Sequence, residues 1–321
     1  MFQITNKAVI GFVAAGLLGA ATLAHAQTYP TRPVSIYYPY QMGGSGDGVL
    51  RAIANYLEKK WGQPIVIEAK PGGNEVVSMS ALLNANPDGH VVGVTSQNFS
   101  LNPAVQKLSY DSAKEFTIIT PYSSFSSILG VQPNLPIKNV AEFVAYAKAN
   151  PGKLNFGYLG NHHKVTIAQF ADSGKFSVTE IPFKGSADIT TSFLGGQIDA
   201  YWFVGTQFDS YQKDGKVRYI AVTTPNRHPA WPNLPTLSET YPGFQLVYWL
   251  GMVTKSATPK AVQEKWNAGI KEAQAQPEVQ KVYQNVGFQP YWMSQDDTAA
   301  YIKKELESLA RGAKLAGLTP Q

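Results

Sequence analysis

The chain of 321 residues contains no cysteine. Disulfide stapling, thiolate chemistry and the acylated cysteine of a lipid-anchored protein are thereby excluded. Charge is also sparse, at 15% of residues, and no run of five basic side chains occurs. The pI near 9.1 therefore reflects scattered lysines and arginines, and no nucleic-acid-binding face is expected. Motifs for nucleotide or covalent chemistry are missing as well. The loop Gly43-Gly44-Ser45-Gly46-Asp47 is not followed by the Lys-Ser/Thr of a Walker loop and carries Val49 where the dinucleotide fingerprint has its third glycine. It also lacks the closing glycine of a nucleophile elbow. The four histidines beyond residue 26 suggest no ligand cluster, so neither a metal nor a cofactor is expected.

What is present starts with an address. Lys7, an uncharged run over 8–23 and the tripeptide Ala24-His25-Ala26 form a secretory signal peptide over 1–26, cleaved before Gln27. As a membrane span the run is marginal, because three glycines interrupt it and a bilayer needs about 20 apolar residues. The mature protein is expected in the periplasm. Removing Lys7 lowers the formal charge of +5 by one. Such a mildly basic chain favours anionic small molecules slightly, and the same charge equally serves solubility alone.

Strands and helices then alternate. Strands are expected over 33–38, 64–68, 90–95, 128–131, 153–158, 178–183, 198–203 and 217–223. Val49, Leu50, Ile53, Leu57 and Trp61 recur at helical spacing after the first glycine-rich turn. A further helix is expected over 76–83. Asn139 with Glu142 three residues on is a capping signature for a helix carrying Phe143, Val144 and Ala147. Thr258-Pro259 opens a helix bearing Val262, Trp266 and Ile270, and a last one covers 296–316. Alternation of this kind predicts an α/β fold with parallel sheets flanked by helices, and the strand count favours two sheets, the second starting near Pro121.

Open parallel sheets bind ligands where strand ends feed helix N-termini. The loops to read are therefore 41–47, 95–98, 159–164 and 183–187. In the first, backbone N–H groups, the helix dipole and the Ser45 hydroxyl offer a seat for a carboxylate or phosphate. An ordinary strand-to-helix connection capped by Asp47 fits the same residues. Lys184-Gly185-Ser186 has the same context, and two such seats facing each other would hold an anion between domains.

Nine segments in order carry a family likeness. They are 39–47, Pro87-Asp88-Gly89, Asn102-Pro103, Tyr110-Asp111 with Phe116, residues 149–154, residues 182–187, Gly195-Gly196-Gln197-Ile198-Asp199, Leu234-Pro235-Thr236 and Trp249-Leu250-Gly251. Over essentially the whole mature chain the sequence resembles the tripartite tricarboxylate transporter receptors, or Bug-type solute-binding proteins. The resemblance implies a two-domain periplasmic binding protein of the type II-like, Venus-flytrap kind, with a mostly parallel sheet in each domain. Crossings near Thr120 and Thr223 would give one domain from 27–120 and 223–321 and another from 121–222. The implied role is capture of a small carboxylate for the membrane subunits of a transporter, with no catalysis. A receptor that reports to a membrane sensor would have the same site, and an exported hydrolase is the remaining alternative. A monomer is expected.

Carried over by position, the gripping loops are Gly43, Gly44, Ser45 and Asp47 on one side and Lys184, Gly185, Ser186 and Ala187 on the other. Tyr40, Thr95, Gln97, Asn98, Gly160, Asn161, His162, His163, Asp199 and Trp202 would complete the cavity. The sequence departs from the family at Leu159-Gly160-Asn161-His162-His163, where small hydroxyls give way to imidazoles, and at Trp202-Phe203-Val204, where polar groups are lost. An aromatic or bulky carboxylate is therefore the expected ligand, with a protonated histidine strengthening its hold as pH falls toward about 6.5. Each residue also has a plainer role open to it: His162 and His163 as solvated loop side chains, Trp202 as core, Asp199 as a loop tie, and Arg51 as partner of a local acid.

Overall fold

The computed structural model describes residues 29–183, 185–204, 208–242, 244 and 247–320. The leader over 1–26 and Lys184 lie outside the described residues, as do the side chains of Ser45 and Ser186. Strand β1 (Val34–Tyr38) alternates buried and half-buried side chains. It leads into helix α1 (Ser45–Trp61), whose Val49, Leu50, Ile53 and Leu57 form one buried stripe. The helix stops at Gly62, whose φ of 69° lets its N–H turn back to Glu58 O. There follow β2 (Ile65–Ala69), a 3-10 turn over Gly73–Glu75, α2 (Val76–Leu83), β3 (Val91–Ser96), α3 (Asn98–Val105), α4 (Ser112–Glu115) and β4 (Phe116–Phe125).

The middle of the chain gives β5 (Ser127–Val131), α5 (Val140–Ala149), β6 (Asn155–Leu159), α6 (Gly160–Gly174), β7 (Thr179–Phe183), α7 (Ser186–Leu194), β8 (Ala200–Val204), α8 (Asp209–Lys213), β9 (Arg218–Val222) and α9 (Leu237–Thr240). Asn139 caps α5 as its spacing predicts: its side chain accepts the Glu142 N–H, and the Glu142 carboxylate accepts the Lys138 N–H. The chain closes with β10 (Tyr248–Lys255), α10 (Lys260–Gln274), α11 (Pro277–Val286), β11 (Gln289–Pro290) and α12 (Gln295–Leu315).

The strands build two sheets, in the orders β11-β4-β10-β3-β1-β2 and β7-β6-β8-β5-β9. Both are mixed, which corrects the expectation of mostly parallel sheets. In the first, β1 pairs parallel with β2 and β3, but β10 runs antiparallel between β3 and β4. In the second, β6 pairs parallel with β7 and β8, and β5 runs antiparallel to β8 and β9. The reversed strands have a common cause. β5 and β10 are the first strands after the chain passes from one sheet to the other. That passage occurs at the edge where the parallel strands end, so a strand entering there must run backwards.

The passages also lie later than sequence alone suggests. β4 continues through Thr120 and Pro121 to Phe125, so the first crossing is at Ser126. Pro121 reads as a break, yet it sits at a register shift opposite Gly251, where a bulge relieves the ladder of one donor. After Thr223, whose N–H bonds Ser127 O, the chain stays with the second sheet. Thr236 bridges Val222, and Leu237, Tyr241 and Phe244 pack on the second core around Phe143, Phe156, Phe170 and Trp202. The return comes with Tyr248 at the start of β10.

The first core gathers Ile36, Leu50, Ile53, Trp266 and Tyr283 between its sheet and helices α1, α10 and α11. α10 is headed by Pro259 without a side-chain cap, since the Thr258 hydroxyl pairs with Thr254 instead. Helix α12, capped by Ser294 on the Asp297 N–H, packs on α3 of the first lobe and α6 of the second. Leu309 and Ala313 meet Leu101, Val105, Val165 and Ala168 in one small cluster. The approach depends on Gly312, where a Cβ would stand 2.6 Å from Val165 Cγ1. Among the described residues, no helix is long and apolar enough to cross a membrane.

Candidate ligand-binding cleft

At the edge where β1, β3, β6 and β7 end, the two lobes face each other across a cavity of about 310 Å³. Its walls include Tyr38, Tyr40, Gly46, Ser96, Gln97 and Asn98 from the first lobe and His162 from α6. Phe125, Tyr248, Leu250 and Phe288 add an apolar side. The ring of Phe125 stacks on Tyr248 and on Phe288 at centroid distances of 5.4 and 4.7 Å. A larger groove of about 640 Å³ lies between α6, the α9 region and α12, away from the strand ends.

Four expected residues, Tyr40, Gln97, Asn98 and His162, therefore line the cavity. Gly43 and Gly44 lie just before α1. Gly43 adopts a φ of 97°, and its N–H donates to Asp47 Oδ2 at 2.9 Å. Asp47 itself is turned inward, buried, and paired through Oδ1 with Arg51 Nε at 2.9 Å. It closes the loop and is not among the cavity-lining residues. Gly185 and Ala187 stand at the head of α7, on the same sheet edge as Leu159, and neither is among the cavity-lining residues.

The expected side loop over 159–163 is helix from Gly160 onward, with Leu159 as its N-cap. No Ser, Asp or Asn announces that start; His163 Nδ1 accepts the Leu159 N–H at 3.3 Å in a capping role. Gly160 and Asn161 form the first turn. His163 is buried, edge-on to Tyr201 and Tyr248. Burial holds its pKa down to about 3, with His162 beside it adding to the shift, and burial holds His162 down to about 4. Both imidazoles are therefore neutral near pH 6.5, in contrast to the protonated histidine expected from the sequence. Two further residues lie elsewhere. Trp202 is 0% exposed, packed in the second core against Phe156 and Phe170. Asp199 precedes β8 at the opposite end of the sheet, where its Oδ2 accepts the Asn155 N–H at 2.7 Å.

One residue that the sequence reading passed over organises the first-lobe wall. Glu75 is 2% exposed and ends the 3-10 turn with a φ of 79°, a left-handed conformation that costs a non-glycine residue energy. Its carboxylate accepts from Tyr40 Oη, from Thr95 Oγ1 at 2.6 Å, from the Ser96 N–H at 3.2 Å, from Ser96 Oγ and from Asn98 Nδ2 at 3.0 Å. Thr95 thus faces Glu75 and not the cavity. Because the Asn98 amide nitrogen must point at this acceptor, its Oδ1 faces His162 Nε2 at 2.7 Å and accepts the hydrogen bond that the Nε2–H donates. That bond joins the two lobes across the cleft. An acid directly after Gly72-Gly73-Asn74 was the available signal for Glu75.

Two α/β lobes crossed twice by the chain, with a cavity where their strand ends meet, define a solute-binding protein of the Venus-flytrap type. The chain belongs to the tripartite tricarboxylate transporter receptor family, whose family model matches residues 49–316. It is 27% identical to BugT of Bordetella pertussis over 323 residues, covering 96% of this chain and 98% of that protein. A solute-binding protein of this family from Polaromonas has the same fold, with a TM-score of 0.81 at 22% identity, covering 89% of this chain and 99% of that one. MatC of Rhodopseudomonas palustris, solved with bound malate, is 25% identical with a TM-score of 0.67, covering 90% of this chain and 100% of that one. Family and fold are thus those of receptors that bind and release.

Proposed function

We propose that the protein is an exported, monomeric receptor that closes its two lobes around a bulky or aromatic carboxylate and hands it to the membrane subunits of a tripartite tricarboxylate transporter. The observation that carries this is the cavity at the shared strand-end edge, with Gly46 of the first turn of α1 in its wall. A helix N-terminus supplies free N–H groups and a positive dipole end, which meet a carboxylate without ordering a long side chain. Lys184-Gly185-Ser186 would close from the other lobe at the head of α7, and Ser45 would stand opposite. Malate in MatC supports the carboxylate class. The rings of Tyr40, Phe125, Tyr248 and Phe288 support bulk and aromaticity, in place of Trp202. Lys7, the uncharged run and Ala24-His25-Ala26 support export, with the hinge at the two passages near Ser126 and Tyr248.

Calorimetry of the purified protein with benzoate and 4-methylbenzoate against citrate and malate tests the ligand class. Aromatic acids are expected to bind more tightly, and scattering should show compaction, because a ligand held from both lobes favours the closed state. Tight binding of the aliphatic acids, with no heat from the aromatic ones, would remove aromaticity while leaving the carboxylate.

A further inference from the structure

Two hydroxyls on the first-lobe wall of the cavity, those of Tyr40 and Ser96, are already committed as donors to one carboxylate. Tyr40 Oη and Ser96 Oγ each own one hydrogen, and both hydrogens go to Glu75. Burial, with the Glu75 charge next, raises the Tyr40 phenol well above its ordinary pKa, so that hydrogen stays in place. What these two oxygens can still offer a ligand is a lone pair. Across the cleft His162 repeats the pattern. Its Nε2 proton is spent on Asn98 Oδ1, which leaves Nδ1 as an acceptor, and that nitrogen is buried without a partner. Among the described residues that line the cavity there is no lysine or arginine. A second carboxylate placed against Tyr40 and Ser96 would meet oxygens whose hydrogens are already given to Glu75, with a like charge behind them.

We propose that the carboxylate captured in this cleft also carries a protonated nitrogen, which lies against Tyr40, Ser96 and His162 Nδ1 with Glu75 as its counter-charge. The ligand is then a zwitterion, with its carboxylate toward the N-terminus of α1 and its ammonium group toward the Glu75 wall. This rests on the carboxylate reading given above, and it adds a chemical requirement at the ligand's other end.

Matched pairs differing only in the amino group decide it: phenylalanine against 3-phenylpropanoate, aspartate against succinate, and 4-(aminomethyl)benzoate against 4-methylbenzoate, titrated calorimetrically into the unaltered protein. In each pair that binds, the amino member is expected to bind about tenfold more tightly or better. In Glu75→Gln that preference should shrink to about threefold or less, because the counter-charge is gone. Equal affinity within the pairs, or tighter binding of the unaminated acid, overturns the zwitterion and leaves the carboxylate receptor standing. Absence of heat from all six acids overturns the carboxylate reading, and this one with it. Should Glu75→Gln fail to fold, the pairs in the unaltered protein decide alone.

Discussion

The two walls of the cleft bury titratable side chains by opposite means. On the first lobe, one carboxylate is surrounded by donors from three segments: Tyr40 just beyond β1, Thr95 and Ser96 at the end of β3, and Asn98 at the start of α3. On the second lobe, two adjacent imidazoles are packed among tyrosine rings with few partners, and burial keeps them neutral. The first solution is rigid, since removing the centre strands every donor around it. The second is soft to pH, since protons compete for the rings as soon as the fold opens. A receptor wall can thus be fixed by hydrogen bonds or by apolar packing, and the two respond to different perturbations.

Removing the centre of the first wall should produce the largest effect. Glu75→Ala leaves Tyr40, Thr95, Ser96 and Asn98 donors buried and unmatched, at an expected loss of about 3 to 5 kcal/mol in urea unfolding. A loss under about 1 kcal/mol would show that these groups find water, and that the first wall is no more rigid than the second.

The second wall should respond to acid. An imidazole whose folded pKa is depressed contributes stability that is complete above its unfolded pKa near 6.5, and that stability erodes as pH falls toward the folded values of about 4 for His162 and about 3 for His163. Between pH 6.5 and 5 the loss should be on the order of 2 kcal/mol per ring. Thermal melts from pH 7.5 to 5 should record a falling midpoint that flattens in the His162→Gln, His163→Gln double variant. An unflattened slope would assign the acid sensitivity to other groups.

The smallest effect is expected where the first wall touches solvent. Arg51 is 53% exposed although its partner Asp47 is buried, so Arg51→Ala should cost about 1 kcal/mol or less. Ligand affinity should stay within about twofold of the parent, because the pair closes the loop from behind. A tenfold loss of affinity would place Arg51 in the binding machinery after all.

Much of this architecture is visible in residue patterns, and the exceptions have physical reasons. The α1 stripe, the Asn139 cap and the span Val76–Leu83 follow from periodicity and cap chemistry, which are local. The crossings were harder to place. Pro121 looks like the end of a strand, and only its partner across the sheet reveals the bulge that accommodates it. Placing the first crossing at Thr120 hid Phe125 and Tyr248, which pair with each other at the cleft edge. Helix α6 starts on a leucine cap with a histidine in the supporting role, a combination that carries no sequence signature. Trp202 and Asp199 stand near ligand-like positions in sequence, but strand direction sends one to the core and the other to the far end. Glu75 was missed because an acid in a glycine-rich turn ordinarily faces water. Its importance rests on donors brought from 20 and more residues away.

The reversed strand β10 has a consequence for the order in which the protein is built. It lies between β3 and β4, so these two strands have no common ladder until residues 248–255 arrive. Everything in the second sheet, by contrast, is drawn from one unbroken stretch, β5 to β9. A chain that emerges N-terminus first can complete the second lobe while the first remains two separated halves, waiting on a late segment to zip them together. Pulse-labelled hydrogen exchange during refolding should protect β5, β6 and β8 before β3 and β4, and the reverse order would refute this sequence of assembly. The binding-competent cleft, which needs both walls, is then the last part of the molecule to exist.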